Sequence, residues 1–376
     1  MNHISRNEGK TKIVERLTRE MILESGEDFS ERYIIDHLEG DYVRITYKDS
    51  VSAQNGIKIH NIPGTGEFQA RQHLNIFALW DGACIPTSII GDAPFGKPNQ
   101  ILSNGTRMIP LEIVVLDRTA PNGSHAKRHP EDLALKREDG MPASFPELKV
   151  ELFHKDSVVQ YRSGRRLMIK EGEVKQICDE ENGRWFDKSN GEEVQVHSDP
   201  IIVINEATGK WDLYPQKMPV KDYKEPLMSI EPVLIPEELK YVKEELAKPA
   251  FRALTAGFNT VRHKGKRLEL VDMKFEAGYS DYGAEYGEIV LSDGATISEL
   301  RSWFDGNPAD PLDKDVFRKS VPRQDEAAQD KATYEAYRLM AELSDQLNTK
   351  EAMHAAFEAE RGFRLKHRLP SDQRTR

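Results

Sequence analysis

Cysteine is scarce: only Cys84 and Cys178 occur in 376 residues, far apart and outside any CxxC spacing. That argues against both a disulfide framework and a cysteine-bound zinc, and predicts reduced, structural thiols. Long apolar runs are also missing, and nothing approaches the roughly 20 residues needed to cross a bilayer, so a soluble protein with no membrane partner is expected. Positive charge is in deficit, with 53 Lys and Arg against 63 Asp and Glu and a formal net charge of −10. Such a surface repels a phosphate backbone and argues against nucleic acid as a general partner, so any bound phosphate must be met by local lysines and arginines. The opening MNHISRNEGKTK has neither the apolar core of a secretory signal nor the character of a transit peptide, which predicts a cytoplasmic location. No HExxH, GxSxG or GxxxxGK[ST] motif occurs, and His125, His129, His154 and His197 show no metal-ligand pattern, which speaks against histidine-bound zinc and a serine nucleophile. No internal repeat or low-complexity segment is present.

A chain of this length exceeds what one core usually organises, so two lobes are expected. Residues 1–106 look β-rich. YVRITY (Tyr42 to Tyr47) and the run from Ile57 to Ile62 carry β-branched and aromatic residues between turn formers, and a helix from Phe68 to Leu79 ends near Gly82. A larger lobe is expected over 107–348, opening with the buried strand IPLEIVVL (Ile109 to Leu116), which points Glu112 somewhere specific. Within it, about 157–196 alternates charges, glycines and isolated aromatics and reads as inserted hairpins. Helices are expected from Pro236 to Ala256, interrupted at Pro249, and from Ala327 to Leu347, with strands at Leu268 to Phe275 and Glu288 to Leu291. Residues 349–376 read as a polar, basic tail.

The segment VDMKFEAG carries the most chemistry. A strand period of two places Asp272, Lys274 and Glu276 on one face and Val271, Met273 and Phe275 on the other. Taken alone, the charged row is equally compatible with the solvated face of an antiparallel strand. GEIVLSD follows a glycine-rich turn (Gly278 to Gly287) as a hairpin partner and ends on Asp293, so two carboxylates converge. Magnesium takes oxygen ligands, commonly one or two carboxylates with nucleotide phosphates and water, and Glu276 with Asp293 suits it. Near the start, EGKTKIV sets Lys10 and Lys12 after a glycine, where they could meet a nucleotide's phosphates or simply be solvated. DRTAPNGSHAKR (Asp117 to Arg128) gathers Arg118, Ser124, Lys127 and Arg128, a candidate anion site or an exposed basic loop. Arg301 beside Trp303 allows a similar reading.

In order along the chain, EGKTKIV, KDSVSAQNG (Lys48 to Gly56), IPLEIVVLDRTAPNGS, SDP (Ser198 to Pro200), VDMKFEAG, GEIVLSD, Arg301 with Trp303, and LDKDVFRKS (Leu312 to Ser320) resemble the SAICAR synthetase family of purine biosynthesis. The resemblance implies an α+β, two-lobed, ATP-grasp-like fold of antiparallel sheets and flanking helices, with nucleotide held between a small β-rich lobe and a larger one. It implies an ATP-dependent carbon–nitrogen ligase that phosphorylates the carboxylate of carboxyaminoimidazole ribotide and couples it to the amine of L-aspartate. By the same resemblance Lys10 and Lys12 meet the ATP phosphates, Glu276 and Asp293 ligate Mg2+, and Lys274 with Asp272 takes the catalytic place beside the reacting centre. Arg118, Ser124 and Arg301 hold substrate phosphate or carboxylate, with Glu112 and Asp199 as further substrate-side candidates.

The chain departs from the family pattern near the substrate. Leu116 stands where an arginine is usual, Thr65 replaces a lysine of the glycine turn, Gly294 replaces a glutamate, and Thr296-Ile297 replaces Ser-Pro. Two alternatives stay open on the sequence: the same ATP machinery acting on another carboxylate or amine, and an inactive homologue serving as a binding protein. A homo-oligomer is also left open.

Overall fold

The computed structural model describes residues 6–18, 20–21, 42–53, 58–92, 97–170, 173–177, 184–280, 288–294, 296–313, 316 and 326–367. Of the glycine-rich turn expected over Gly278 to Gly287, residues 281–287 lie outside them, as do most of LDKDVFRKS and the last basic residues, while Gly278 to Ser280 continue a strand. The chain divides into two compact units, residues 1–108 with 240–376, and residues 109–239. This differs from the lobes expected at 1–106 and 107–348, because the segment after Leu239 joins the first unit. No helix among the described residues is long and apolar enough to cross a membrane.

The first unit opens with β1 (Arg6–Glu8), β2 (Lys12–Leu17) and β3 (Tyr42–Tyr47), followed by the hairpin β4 (Ser50–Ala53) and β5 (Lys58–Asn61). Helix α1 (Thr65–Gly82) comes next, then β6 (Ile89–Asp92) and β7 (Gln100–Asn104). Five strands form one sheet in the order β1-β2-β3-β7-β6. Tyr47, Ala70 and Ile101 are fully buried between this sheet and α1. The helix starts where Asp49 accepts from the Gly66 amide at 2.9 Å, satisfying a donor that the first turn leaves open. Gly66 is required there, since a Cβ would lie 2.6 Å from the Tyr47 carbonyl oxygen.

The sheet of the second unit starts from β8 (Thr106–Arg118) and β9 (Ser144–His154), with the short helix α2 (Ser124–Arg128) between them in sequence and antiparallel pairing of Glu112 with Phe153. The insertion is a separate antiparallel sheet of β10 (Ser157–Tyr161), β11 (Arg166–Ile169), β12 (Val174–Ile177), β13 (Arg184–Asp187) and β14 (Glu193–His197), in the order β11-β10-β14-β13-β12. It encloses its own small core of Val159, Tyr161, Val174 and Val194. Strands β15 (Ile201–Ile204), β16 (Trp211–Tyr214) and β17 (Met228–Ile230) then extend the sheet from β9.

The chain re-enters the first unit through α3 (Pro236–Lys240), a π-helical stretch Tyr241–Ala247, and α4 (Lys248–Thr260). The expected break at Pro249 does not occur. Proline lacks the amide a helix interior needs, but here it occupies the first turn of α4, directly after the π turns. Strands β18 (Arg262–His263), β19 (Lys266–Ser280), β20 (Glu288–Gly294) and β21 (Leu300–Phe304) follow, with β20 and β21 both paired to β19. Helix α5 (Glu326–Asp345) packs on α1, and α6 (Lys350–His367) packs on α4. The segment read as a polar tail is thus largely a docked helix, burying Ala352, Ala356 and Glu360 along one stripe. Glu360 is tolerated there because Arg364, one turn on, pairs with it.

Candidate functional site

Strand β19 alternates as its sequence requires: Val271, Met273, Phe275 and Ala277 are buried, while Asp272, Lys274 and Glu276 are half-buried on the other face. Pairing with β20 places Glu276 directly opposite Asp293, with a bulge between Glu276 and Ala277. Opposed residues of an antiparallel pair share a face, and like charges there are unfavourable unless a cation neutralises them. Lys12 supplies one, its ammonium forming an ion pair with Asp293. The family glutamate has no place after Asp293: Gly294 sits at φ 121°, and a Cβ there would lie 2.8 Å from that of Phe275. Its amide instead donates to Asp293 Oδ1 at 2.6 Å.

Lys12 reaches Asp293 because β2 pairs with β3 in a register that puts Lys12 opposite Tyr47. The ammonium lies over the Tyr47 ring, 5.0 Å from its centroid. Tyr47 in turn hydrogen-bonds His73 Nδ1 on α1. Burial opposes the charge on Lys12, yet the carboxylate of Asp293, then Tyr47 and Glu299, raise its pKa above the usual lysine value. Burial works against the charge on Asp293 as well, and Lys12, His73 and the Gly294 amide outweigh it and bring the carboxyl down to about 2. Burial first, then the Lys12 charge, lowers His73 to about 3, so its ring is neutral. Burial raises the Tyr47 phenol.

Two members of this cluster, Tyr47 and His73, and the nearby Glu299 were not singled out by the sequence. Glu299 closes a turn by accepting from the amide and hydroxyl of Thr296, and the Ile297 amide donates to Gln72 of α1 at 2.8 Å. A T-x-x-E spacing was the available signal for that turn. Lys10 is exposed in the turn before β2 rather than on the strand, its carbonyl accepting from Ser50 at 2.7 Å. Arg301 lies opposite Asp272 and pairs with it. Thr65, which replaces the family lysine, is fully buried and donates to the Ile62 carbonyl at 2.9 Å.

The remaining candidates lie in the second unit. Glu112 is buried on β8, and Leu116, in place of an arginine, is buried on the same strand. Arg118 donates from Nε at 3.0 Å and from a terminal nitrogen at 2.9 Å to Asp117. Ser124 opens α2. Asp199 stands at φ 43° just before Pro200, a conformation rare for a side-chain-bearing residue and one that accumulates at functional positions. The structure also brings together His125, His129 and Glu151 within reach of a single ion, which the expectation against histidine metal ligands did not foresee. The i, i+4 spacing of the two histidines was the signal. Both ring nitrogens of His125 already face carboxylates, Glu151 at 2.7 Å and Asp132 at 2.8 Å, so the group is an ion-pair network as it stands.

For magnesium the donor set in the first unit fits: two opposed carboxylates, one with its side chain 34% exposed, offering hard oxygen ligands next to a lysine. A family model described as SAICAR synthetase matches residues 31–181 and 228–334. The chain belongs to the SAICAR synthetase family. The gap in the match overlaps the later part of the expected insertion. A phosphoribosylaminoimidazole-succinocarboxamide synthase of Herpetosiphon aurantiacus is 25% identical over 336 residues, 89% of this chain and 96% of that relative. The Pyrococcus furiosus synthase is 30% identical over 288 residues, 75% of this chain and 84% of its own. Two solved structures share the fold. The Ehrlichia chaffeensis synthase has a TM-score of 0.52 at 18% identity, covering 91% of this chain and 99% of its own. The SAICAR-synthase of Saccharomyces cerevisiae, complexed with SAICAR, has a TM-score of 0.51 at 15% identity, covering 91% and 95%. The fold is therefore the α+β, ATP-grasp-like architecture of SAICAR synthetases, and the chain is an ATP-dependent ligase.

Proposed function

We propose that the chain joins carboxyaminoimidazole ribotide to L-aspartate with consumption of ATP, making the SAICAR intermediate of purine biosynthesis. The observation that carries this reading is the lysine–carboxylate pair of Lys12 and Asp293, opposite Glu276, in a chain of this family. Synthases of the same reaction match it over most of their length, which favours this substrate pair over a different carboxylate or an inactive binding protein.

The ribotide carboxylate oxygen attacks the γ-phosphorus of ATP, ADP leaves, and an acyl phosphate forms. The aspartate amine then attacks the acyl carbon, phosphate departs with the C–O bond electrons, and the amine loses a proton to give the amide. Lys12 meets the ATP phosphates as a point charge, with Lys10 on the adjacent turn, and both offset the charge that spreads over the transferring group. Glu276 and Asp293 would hold Mg2+, which would supply charge neutralisation to the phosphates. Lys274, with Asp272 on its face of β19, serves the reacting carboxylate. Arg118, Ser124, Glu112, Asp199 and Arg301 recognise the ribotide and aspartate. The setting is cytoplasmic, with small-molecule substrates and no nucleic-acid partner for a chain of net charge −10, and it accommodates a homo-oligomer.

Purified protein supplied with ATP, magnesium, carboxyaminoimidazole ribotide and aspartate is expected to release phosphate and amide in equal amounts. ATP binding without amide formation would point to other substrates, and absence of ATP binding would overturn the ligase reading.

A further inference from the structure

Three side chains of the second unit face one another with the donor types of a transition-metal site. One ring nitrogen each of His125 and His129 and one carboxylate oxygen of Glu151 lie within 4.8 Å of one another. His125 sits on α2 and His129 follows its last residue, so the two rings are one turn apart and stack with centroids 4.7 Å apart. Glu151 reaches them from β9. An ion bound tetrahedrally at about 2.0–2.1 Å needs its donors about 3.4 Å apart. The widest gap therefore has to close by about 1.4 Å at most, while the His125–Glu151 pair, now at 2.7 Å, opens slightly.

The surroundings already hold these donors in place. His125 is 3% exposed, its Nδ1 faces Glu151 Oε1 and its Nε2 faces Asp132 at 2.8 Å. Asp132 stands where the outer carboxylate of a carboxylate–histidine–metal triad stands, fixing the ring through one nitrogen while the other ligates. Glu151 pairs with the enclosed Arg128 through its second oxygen, Oε2, which leaves Oε1 as the ligand atom. His129, with 28% of its side chain exposed, is the open side. An ion enters there, and water takes the fourth position. Two imidazoles and one carboxylate with one open position make the ligand count of a zinc site that keeps a bound water. The nitrogen donors discriminate against magnesium and calcium, which take oxygen. Arg128 and Lys149 are the cations beside the site, and Glu151, Asp132 and Glu131 carry the charge that offsets them.

We propose that His125, His129 and Glu151 bind a divalent ion of the zinc class, with Asp132 orienting His125. None of these residues belongs to the Glu276–Asp293 pair, and the proposal stands whichever amide the chain makes. In the ion-paired arrangement a hydrogen lies between His125 Nδ1 and Glu151 Oε1, and the arriving ion exchanges for it.

Cobalt(II) and zinc are the probes, added to metal-free protein in buffer with saturating magnesium. Cobalt is expected to give the visible absorption of a four-coordinate ion with nitrogen and oxygen donors, without the near-ultraviolet charge-transfer band of a thiolate, and zinc is expected to displace it. His129→Gln is expected to weaken both ions by at least about 10²-fold, with the unfolding midpoint of the metal-free protein unchanged. Asp132→Asn keeps all three ligands and is expected to weaken zinc by about 10–100-fold. Glu276→Gln is expected to leave the cobalt spectrum as it is. Zinc is expected to raise the unfolding midpoint of the wild type, and not that of His129→Gln, because it binds only the folded site.

Absence of a four-coordinate cobalt spectrum in the wild type overturns the site. So does a spectrum that survives His129→Gln, one that disappears in Glu276→Gln, or one that carries the thiolate band, since the ion would then sit on other ligands, the exposed Cys84 among them. If His129→Gln failed to fold, Asp132→Asn decides: weakened zinc supports the site, and wild-type affinity overturns it.

Discussion

Two charge clusters, one in each unit, use the same residue types to opposite ends. In the first unit Lys12, Asp293, Tyr47 and His73 leave the carboxylate side chain 34% exposed and one of two histidine nitrogens buried without a partner among the described residues. In the second, His125 lies between Glu151 and Asp132 with both nitrogens bonded, Arg128 is fully enclosed against Glu151, and Lys149 donates to Asp132 at 2.5 Å. Its orphan is a single N–H of the five-donor Arg128 fork. Burial opposes the charge on both Glu151 and Asp132, yet their cationic neighbours keep each carboxyl below its usual value. A network closed on itself stabilises one geometry. The first-unit cluster, with a partly exposed carboxylate and an unpaired buried nitrogen, is not closed in that way.

The largest expected effect tests that distinction directly. Asp293→Asn keeps shape and removes the charge facing Lys12, and turnover is expected to fall by at least about 10²-fold, the scale of losing one preorganised charged partner at a reacting phosphoryl group. Steady-state kinetics with saturating ATP and magnesium read it, and near-normal rates would end the metal assignment. Glu151→Gln is expected to do the reverse. It leaves the Arg128 guanidinium, fully enclosed, without its carboxylate, and removing one partner of a buried pair costs about 3–5 kcal/mol. Urea unfolding is expected to show that loss while the folded protein still binds ATP. If Glu151→Gln proved neutral to stability and abolished ATP binding, the two clusters would have exchanged roles.

Acid pH separates them further. His73 is held at about 3 in the folded protein, below its ordinary 6.5, so between those values the unfolded chain binds the extra proton. Its contribution is complete above about 6.5 and is lost as pH falls toward 3, with a slope of at most one proton, about 1.4 kcal/mol per pH unit. Asp293, held at about 2, adds the same sign of loss below its ordinary 3.8. In His73→Asn the one-proton slope between pH 6.5 and 4 is expected to disappear from the unfolding free energy, while the carboxylate losses at lower pH remain.

Much of the first-unit site is legible in the amino-acid sequence itself. The alternation in VDMKFEAG and the convergence on Asp293 follow from the strand period and one hairpin, both local signals. What escapes is long-range or masked by composition. Lys12 and Tyr47 meet only through the β2–β3 register, and His73 joins them only when α1 packs on that sheet, so neither periodicity nor motif spacing could name the cluster. The helix Lys350–His367 is hidden because its buried stripe is made of alanines among charges, which carry little hydrophobic signal. Gly294 looks like a lost acid, whereas its positive φ and the close approach of Phe275 show a backbone with room only for glycine. The Leu239 division escapes because α3, the π turns and α4 run on as one helical stretch, and nothing in composition marks where contacts change allegiance.

The smallest expected effect tests whether the second-unit network fades toward solvent as its geometry implies. Lys149 donates to Asp132 at 2.5 Å, but its side chain is 37% exposed, and its ammonium lies over the Phe145 ring at 4.3 Å. An exposed ion pair is worth about 0–1 kcal/mol because water screens it and two side chains must be held still. Asp132 also keeps its bond to His125, so it is not left alone. Lys149→Met, which retains the stem's packing on the ring, is therefore expected to cost about 0.5–1 kcal/mol in urea unfolding, well under the Glu151→Gln loss, and most of that cost is expected to vanish in high salt. A loss as large as that of Glu151→Gln, insensitive to salt, would mean that the network is closed by Lys149 as firmly as by Arg128, and that its outer edge is not solvated at all.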